Sequence, residues 1–393
     1  MTVLYFADTR FPIERANGVQ TMATCHALAR RGHAVTLIVR PDSAPEPRDP
    51  FLFYDWPPIS TLRMRTIAGG AGPRGRRIRF LLGSARIAAS AGDAVVLTRD
   101  LGLAAWLLQV PRSVRPAIVY ESHGLSDVVA AEMPRLLGDS RPAPSATKLR
   151  RLARREARVW KRAGAYVTIT RALADEMTTR FGGRANVFVV PDGARIQPIA
   201  VPRAGAGAPF VAAYAGHLYP WKGVDVFVRA LAAVPGVQGL IIGGHQDEPD
   251  LDRVRRLIHE LGLASRIELT GLVPPGEVPR RLAHASALVL PNTATAISER
   301  YTSPLKLFEY LGLGRPIIAS NLPALREILT DGRTALMVPP DDPLALGRAI
   351  ARLQQDPALA ASLAAAALQL APQYTWDARA VRLEAALSAA RSS

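Results

Sequence analysis

The segment YTSPLKLFEYLGLGRPIIAS, which starts at Tyr301, places a cation and a carboxylate on the first two turns of a predicted helix. Ser303 is a favoured N-cap residue and Pro304 fits the first turn, so we expect the helix to begin here. The amino end of a helix carries unpaired N–H groups and partial positive charge, which together bind phosphate. Lys306 would strengthen such a site, and Glu309 could accept hydrogen bonds from the vicinal hydroxyls of a ribose. The alternative is an ordinary surface pair of Lys306 and Glu309, which would contribute only about 0.2–0.5 kcal/mol.

A second segment, AYAGHLYPWKG, has a similar combination of residues. Gly216 and His217 follow a predicted strand, and Lys222 stands at the start of the next predicted helix. Glycine permits close approach of the backbone to a ligand, whereas the helix macrodipole disfavours a lysine at this end unless an anion binds there. Two cation-bearing helix starts in one half of the chain predict a diphosphate held between them.

Short apolar segments alternate with segments of helical period along most of the chain. This alternation predicts an α/β protein with parallel sheets in two Rossmann-like domains, residues 1–190 and 210–373. The segment 191–209 is rich in Pro, Gly and Ala and is interpreted as a linker, and 292–302 as a loop. Ligands are expected at the carboxyl ends of the strands, in a cleft between the domains. The predicted strands are 3–7, 34–39, 94–98, 117–121, 166–170, 187–190, 210–216, 239–244, 267–271, 287–291, 316–320 and 335–339.

Composition excludes several classes of protein. Cys25 is the only cysteine among the 393 residues, so neither an intrachain disulfide nor a cysteine-rich metal site is expected. No apolar run approaches the ~20 residues that a membrane-spanning helix needs. Met1 leads directly into a strand-like segment without a basic leader, which predicts a cytoplasmic protein.

The positive charge is concentrated in residues 1–190, which hold 29 Lys and Arg against 15 Asp and Glu. A predicted amphipathic helix carries eight cations over 148–162 against Glu156 alone, and the segment 72–80 adds four arginines. Such density predicts contact with an anionic membrane surface, where each basic residue contributes about 1 kcal/mol. Nucleic acid is the weaker interpretation, because aromatic residues are not interleaved with these cations.

The segment from Gly70 to Gly75 matches the dinucleotide-binding pattern G-x-G-x-x-G, with Asp93 further along. It does not follow the first predicted strand, and Pro73 with its neighbouring arginines is more typical of a mobile loop. We interpret it as a flexible loop on the acceptor or membrane side. An NAD-dependent oxidoreductase is therefore the weaker alternative function.

Taken jointly, the two lysine-bearing segments resemble the donor-binding domain of family 4 glycosyltransferases, which are retaining enzymes of the GT-B fold. Segments 15–38, 120–125 and 166–194 resemble the first loop and helix, the histidine motif and the approach to the hinge in the other domain of that family. The tail from YTWDARA, within 374–393, resembles the helix that crosses back over the first domain. The resemblance covers nearly the whole chain.

The resemblance implies transfer of a sugar from a UDP- or GDP-linked donor to a hydroxyl acceptor, with no cofactor and no active-site metal. It implies that Lys222 contacts the diphosphate, that Glu309 binds the ribose, and that the backbone over 302–305 holds the phosphates or the sugar. Gly18 would let the backbone approach the same phosphates, and His123 would touch the transferred sugar. The implied site residues are Gly18, His123, Gly216, His217, Lys222, Thr302, Ser303, Pro304, Leu305, Lys306 and Glu309.

Two positions depart from the family pattern. His217 stands where the family often has Arg, and Tyr301 where it often has a second Glu. Lys306 is expected to supply the missing cation. A non-catalytic protein that binds sugar nucleotides is the alternative that these replacements leave open. The basic half of the chain favours an acceptor in cell-envelope, polysaccharide or glycolipid synthesis, possibilities that rest on charge alone.

Overall fold

The computed structural model divides into two compact units. The first comprises Met1–Ala131, Ala143–Gly193 and Trp376–Ser393, and the second comprises Glu132–Pro142 and Ala194–Thr375. The structure describes residues 1–137, 143–196, 207–245, 249–274 and 276–392. Residues 197–206 of the predicted linker therefore lie outside the described residues. No helix in these ranges combines the length and apolar character needed to cross a membrane.

The first unit contains a parallel sheet, as the alternating pattern predicts, but it has seven strands, because the edge strand Leu62–Thr66 adds to the six predicted. Its strands are β1 (Thr2–Arg10), β2 (Ala34–Arg40), β3 (Leu62–Thr66), β4 (Val95–Thr98), β5 (Ala117–Ser122), β6 (Ala165–Thr168) and β7 (Val187–Val189). Their order is β3-β2-β1-β4-β5-β6-β7. The direction of winding reverses between β1 and β4, so their carboxyl ends open a crevice where sheets of this type bind ligands.

The helices of the first unit connect these strands. They are α1 (Ala16–Arg30), α2 (Pro50–Phe53), α3 (Gly72–Ala89), α4 (Leu101–Leu107), α6 (Ala146–Arg162), α7 (Arg171–Phe181) and the start of α5 (Ser126–Leu136), whose residues from Glu132 onward belong to the second unit. Helix α3 shows that the interpretation of Gly70–Gly75 and its arginines as a flexible loop is wrong. Pro73 fits the first turn, and Phe80 and Ile87 supply a buried face. A Cβ on Gly70 would lie 2.4 Å from the Gly75 carbonyl oxygen, so these glycines pack against each other.

The second unit contains a six-stranded parallel sheet, which also confirms the predicted architecture. Its strands are β8 (Phe210–Ala215), β9 (Val237–Ile242), β10 (Ile267–Leu269), β11 (Ala287–Leu290), β12 (Ile317–Ser320) and β13 (Leu336–Val338), in the order β10-β9-β8-β11-β12-β13. Its helices are α8 (Val224–Ala232), α9 (Pro249–Glu260), α10 (Val278–Leu282), α11 (Ala296–Arg300), α12 (Leu305–Gly312), α13 (Pro323–Arg326), α14 (Pro343–Gln355) and α15 (Pro357–Leu370).

The start of α12 corrects two expectations. The predicted loop 292–302 contains α11, whose first turn is capped by the Thr295 side chain. Ser303 is not the N-cap of α12, because Pro304 is itself extended, with φ −75° and ψ 122°, and takes that position. The helix therefore begins one residue later than predicted, at Leu305. Lys306 and Glu309 remain on its first two turns.

The last helix, α16 (Trp376–Ser392), belongs to the first unit. The apolar residues Trp376, Val381, Leu383 and Leu387 predict a buried face for this helix; Trp376, Leu383 and Leu387 are buried, but Val381 is 48% exposed. Buried positions on one helix face recur every three or four residues, and Val381 falls outside that series. Arg379 lies within the series and is fully buried.

Arg379 is held by a dense set of hydrogen bonds. Its guanidinium donates to the Val190 and Pro191 carbonyl oxygens at 2.8 and 2.9 Å, and to Thr24 Oγ1 at 3.3 Å. It also donates to Glu121 Oε1 at 2.7 Å, and Glu121 is fully buried as well. This ion pair attaches α16 to the end of β5.

We expect Arg379→Leu to lower the free energy of unfolding by about 3–5 kcal/mol, because it leaves the Glu121 carboxylate buried without its cation. Arg391→Leu, in the exposed last turn of the same helix, is the matched control and should change it by less than about 0.5 kcal/mol. Urea denaturation followed by intrinsic fluorescence measures both variants. Equal effects of the two substitutions would contradict the prediction.

Candidate functional site

Lys222 lies in a short 3-10 turn, Pro220–Lys222, and not within the next helix as predicted. Gly223 then caps α8 with a left-handed backbone, φ +70°. A Cβ on Gly223 would lie 1.7 Å from the Pro291 carbonyl oxygen, so only glycine fits here. The turn that carries Lys222 is thereby held against the carboxyl end of β11.

Lys306 reaches from α12 to the loop that follows β8. Its Nζ lies 2.7 Å from the Tyr214 hydroxyl oxygen, and that hydroxyl donates to the His217 carbonyl oxygen at 2.6 Å. A Cβ on Gly216 would lie 2.4 Å from Lys306 Nζ. The absence of a side chain at Gly216 therefore makes room for the ammonium group of Lys306.

The two lysines are electrostatically coupled. Burial lowers the pKa of Lys222 to about 8. Burial, and then the charge of Lys222, hold the pKa of Lys306 well below its usual range, although the Glu309 carboxylate opposes this shift. Burial likewise raises the pKa of Glu309. Within the described residues, neither lysine has a carboxylate at ion-pair distance, so this group of three suits an additional anion.

The remaining predicted site residues of this unit lie in the loop after β8 and in the segment that leads into α12. His217 stacks on Tyr219 at 5.0 Å between ring centroids, and Tyr219 stacks on Trp221 at 4.7 Å. Thr302 and Ser303 are buried in the extended segment before α12, and the Thr302 hydroxyl donates to the Ile297 carbonyl oxygen at 3.0 Å. The Thr302 side chain therefore holds α11 in place. Pro304 and Leu305 continue this segment into α12.

Two residues of this region escape prediction from sequence. Tyr214 positions Lys306, and a tyrosine inside a buried strand gives no signal of that role. Asn292 follows β11 and is 1% exposed, and neither polar atom of its amide has a partner among the residues that the structure describes. An unpaired buried amide costs about 1–3 kcal/mol, so it is more typical of a ligand site than of a core.

Gly18 and His123 lie in the first unit. Gly18 is in the first turn of α1, where a Cβ would lie 2.3 Å from the Tyr54 hydroxyl oxygen and 2.6 Å from the Ile13 carbonyl oxygen. Packing alone therefore requires glycine at this position, whether or not a ligand approaches it.

His123 directly follows β5, and its Nε2 lies 2.6 Å from Glu121 Oε1. Burial alone would raise the pKa of Glu121, but the Arg379 guanidinium and the His123 ring hold it well below its usual range. Burial, and then the charge of Arg99, lower the pKa of His123. An ionised carboxylate only accepts hydrogen bonds, so the neutral imidazole carries its proton on Nε2. Its Nδ1 is left as an acceptor.

The same carboxylate belongs to the one group of potential metal ligands found in the described ranges. Oxygen or nitrogen atoms of Glu121, His123 and Asp192 lie within 4.8 Å of one another. Arg379 donates to Glu121 and lies 3.7 Å from Asp192 Oδ1, so its guanidinium already supplies a cation to both carboxylates. The arrangement fits a buried arginine better than a metal ion.

Two models of protein families match the chain. The model described as "Glycosyl transferase 4-like domain" matches residues 17–193, and the model described as "Glycosyl transferases group 1" matches residues 209–356. The first match ends at residue 193 and the second begins at residue 209, so the boundary between them falls within the predicted linker. Lys222, Lys306 and Glu309 all lie within the second match.

Curated relatives match part of the chain. A D-inositol 3-phosphate glycosyltransferase of Acidothermus cellulolyticus is 29% identical over 243 residues, which span 56% of this chain and 52% of the relative. A GDP-mannose-dependent alpha-(1-6)-phosphatidylinositol monomannoside mannosyltransferase of Mycolicibacterium smegmatis is 29% identical over 197 residues, which span 49% of this chain and 51% of the relative. The chain thus spans about half the length of these relatives.

Solved structures match the whole chain. Sucrose-phosphate synthase from Thermosynechococcus elongatus superposes with a TM-score of 0.75 at 20% identity, over 98% of this chain and 97% of that one. Anabaena HepE in complex with UDP-glucose superposes with a TM-score of 0.71 at 18% identity, over 99% of each chain. Similarity at these identities establishes the fold. The chain belongs to the family 4 glycosyltransferases and has a GT-B fold, in which two α/β domains each contain a parallel sheet.

Proposed function

We propose that this protein transfers a sugar from a UDP- or GDP-linked donor to a hydroxyl acceptor, with retention of anomeric configuration. The observation that carries the proposal is the group of Lys222, Lys306 and Glu309, with two coupled cations and one carboxylate beside the loop after β8. A donor diphosphate would neutralise this excess of positive charge, and the vicinal hydroxyls of its ribose would donate to Glu309. The donor is a substrate, and the proposal includes neither a cofactor nor an active-site metal.

The reaction breaks the bond between the anomeric carbon and the diphosphate oxygen, and the departing oxygen keeps the electron pair. The acceptor oxygen forms its bond to the same face of the anomeric carbon, and its proton passes to the departing phosphate. Negative charge therefore accumulates on the diphosphate in the transition state. Lys222 and Lys306 stabilise that charge, which is the main electrostatic contribution of the protein.

His123 contributes a hydrogen bond in this proposal and does not act as a base. Its Nε2–H donates to Glu121 Oε1, with 2.6 Å between the nitrogen and the oxygen, and this bond fixes the orientation of Nδ1 on the other side of the ring. A sugar hydroxyl could donate to Nδ1 and thereby be positioned for transfer. The lowered pKa of His123 supports this role, because an acceptor nitrogen must be unprotonated.

The acceptor side of the proposal rests on the first unit. Helix α3 exposes Ile78 and Leu82, by 58% and 48%, one turn apart among exposed arginines that include Arg76 and Arg79. An apolar pair bordered by cations is typical of a surface that lies on anionic lipid. We therefore include a cytoplasmic location, peripheral to the inner face of a membrane, and a lipid-linked or cell-envelope glycan acceptor. Nucleic acid is not a partner in this proposal.

The donor site is tested by thermal shift of the purified protein with UDP, GDP, ADP, TDP and NAD. We expect UDP or GDP to raise the melting temperature, and Lys222→Ala and Lys306→Ala to weaken binding by similar factors, about 10- to 100-fold each. Glu309→Ala should also weaken it, and Lys161→Ala, at an exposed position of α6, is the matched control. A response to NAD alone would contradict the proposal. Binding of a sugar nucleotide without transfer or slow donor hydrolysis would indicate a non-catalytic protein.

The affinity for the diphosphate should fall between pH 7 and 9. Lys222 has a pKa of about 8, so it is protonated below that pH and loses its charge above it. Bound anion favours the protonated form of Lys222, so the proton linked to Lys222 makes the affinity fall by up to about tenfold per pH unit above the pKa, and Lys306, whose pKa is also lowered, adds to any such fall. Calorimetric titration with the diphosphate that binds measures this slope. Lys222→Arg keeps its charge across this range and should reduce the slope, so an unchanged slope would exclude Lys222 as its source.

Membrane contact is tested by co-sedimentation with phosphatidylcholine vesicles that do or do not contain phosphatidylserine. Binding should require phosphatidylserine, and reversing two charges with Arg76→Glu and Arg79→Glu should reduce it at least about tenfold, at about 1 kcal/mol per basic residue. Arg280→Glu, on exposed α10 of the second unit, is the control. Equal binding to neutral vesicles would contradict an electrostatic surface.

A further inference from the structure

Arg99 occupies a position in the first unit where ligands bind to sheets of this kind. It follows β4 directly, and β4 borders the point at which the winding of the sheet reverses. The neighbouring strand β5 is followed by His123, and the neighbouring strand β1 is followed by α1. Arg99 is partly exposed at this edge.

Among the described residues no carboxylate forms an ion pair with Arg99, although the Glu121 carboxylate is close enough for the charge of Arg99 to help lower its pKa. In the part of the chain that the structure describes, its one hydrogen bond runs from Nη1 to Gln20 Oε1, at 2.6 Å. The adjacent Asp100 pairs with Arg77 and caps α4, and Asp8 pairs with Arg77 and Arg40. These acidic groups at the same edge of the sheet are thus already engaged by other arginines.

A buried chain of hydrogen bonds fixes the orientation of Arg99. Gln20 is 2% exposed, and while its Oε1 accepts from Arg99, its Nε2 donates to Glu121 Oε1 at 2.8 Å. The amide of Gln20 cannot turn over without losing both bonds. The guanidinium is therefore anchored through Nη1, and the edge formed by Nε and Nη2 has no partner among the described residues.

That edge has the geometry of an anion-binding group. Two parallel N–H donors of a guanidinium match two oxygens of a phosphate or carboxylate. Glu121 connects the Arg99 guanidinium to His123, because it accepts both from Gln20, which holds Arg99, and from the His123 ring. A phosphate on Arg99 and a neighbouring hydroxyl on His123 Nδ1 would suit a phosphorylated sugar or polyol.

We propose that Arg99 binds a phosphate group of a substrate, through the Nε–Nη2 edge that its bond to Gln20 leaves available. The inference rests on the proposed function, since it takes the substrates of a sugar transfer as the source of the phosphate. That phosphate belongs either to the donor diphosphate or to the acceptor. Both sources have the same chemistry at Arg99, and the experiment must separate them.

Binding is tested with inorganic sulfate, whose charge does not change near neutral pH, in a Lys222→Ala/Lys306→Ala background that removes the cations of the second unit. NMR spectra that correlate each nitrogen with its attached proton, recorded at constant ionic strength, follow the Arg99 Nε–H and the His123 ring. We expect saturable shifts of both signals, and loss of the His123 response in Arg99→Gln. Arg99→Lys keeps the positive charge but lacks the two parallel N–H donors, and it should bind sulfate about tenfold more weakly. Arg63→Gln, at an exposed position of β3, should behave as the parent.

The source of the phosphate follows from UDP and GDP titrations of Arg99→Gln in the otherwise unaltered protein. An affinity at least about tenfold lower than that of the parent assigns the phosphate to the donor. Unchanged nucleotide affinity, together with a lost sulfate response, assigns it to the acceptor.

Absence of any sulfate response, or a response that persists in Arg99→Gln, would overturn the proposal. An unchanged melting temperature of Arg99→Gln shows that a loss of response is not a loss of folding. Failure of this inference is separable from failure of the proposed function. Nucleotide binding that depends on Lys222 would stand even if Arg99 bound no anion.

Discussion

The first unit is organised around one buried carboxylate. Oε1 of Glu121 accepts from His123, Arg379 and Gln20, each within 2.8 Å. Removing a carboxylate from water costs several kcal/mol, and the cost is offset only where a cation and further donors surround it. The cation comes from α16, 258 residues away along the chain. Docking of the last helix and ionisation of Glu121 are therefore thermodynamically linked.

This arrangement connects stability with chemistry. The ionised Glu121 that holds α16 also fixes the His123 proton on Nε2 and orients Gln20 toward Arg99. A residue that acts on a substrate needs neighbours that hold it in one orientation. For His123 that neighbour is Glu121, which also pairs with Arg379 of α16. The same carboxylate therefore stabilises the unit and orients the histidine.

The second unit is organised around positive charge, in contrast to the buried carboxylate of the first unit. Lys222 and Lys306 are close enough for one to lower the pKa of the other, and Glu309 compensates only part of their charge. Perturbed pKa values that arise from burial and like charges are typical of functional sites. The backbone accommodates these cations through Gly216 and Gly223, where a Cβ would overlap Lys306 and Pro291.

Local patterns sufficed to predict much of this molecule. The two sheets follow from runs of apolar residues, apart from the edge strand β3, where Arg63 and Arg65 are exposed and interrupt any such run. Lys222, Lys306 and Glu309 stand out because each lies beside a glycine, a proline or a helix start. A helix at 72–89 was harder to recognise, because glycine, proline and arginine at its start are also typical of loops.

Contacts between distant segments could not be predicted in this way. Tyr214 and Lys306 are 92 residues apart, and Gln20 and Glu121 are 101 residues apart. Nothing near Arg379 in the sequence separates it from the surface arginines of this arginine-rich chain, and Val381 was the more apolar choice for a buried position. Whether a charged residue is buried depends on the partner groups that a distant segment provides. The periodicity of a single sequence does not predict those partners.

His217 stands where the family often has an arginine, so a diphosphate bound as proposed would need its second cation from another residue. His217 is stacked on Tyr219, and its carbonyl oxygen accepts from the Tyr214 hydroxyl, whose oxygen in turn accepts from Lys306. The loop after β8 thus obtains its second cation from α12. A diphosphate requires positive charge at a position in space, and Tyr214 with Gly216 brings Lys306 to the backbone beside His217. In the proposed function, α12 thus supplies through Lys306 the charge that the family pattern often places on this loop.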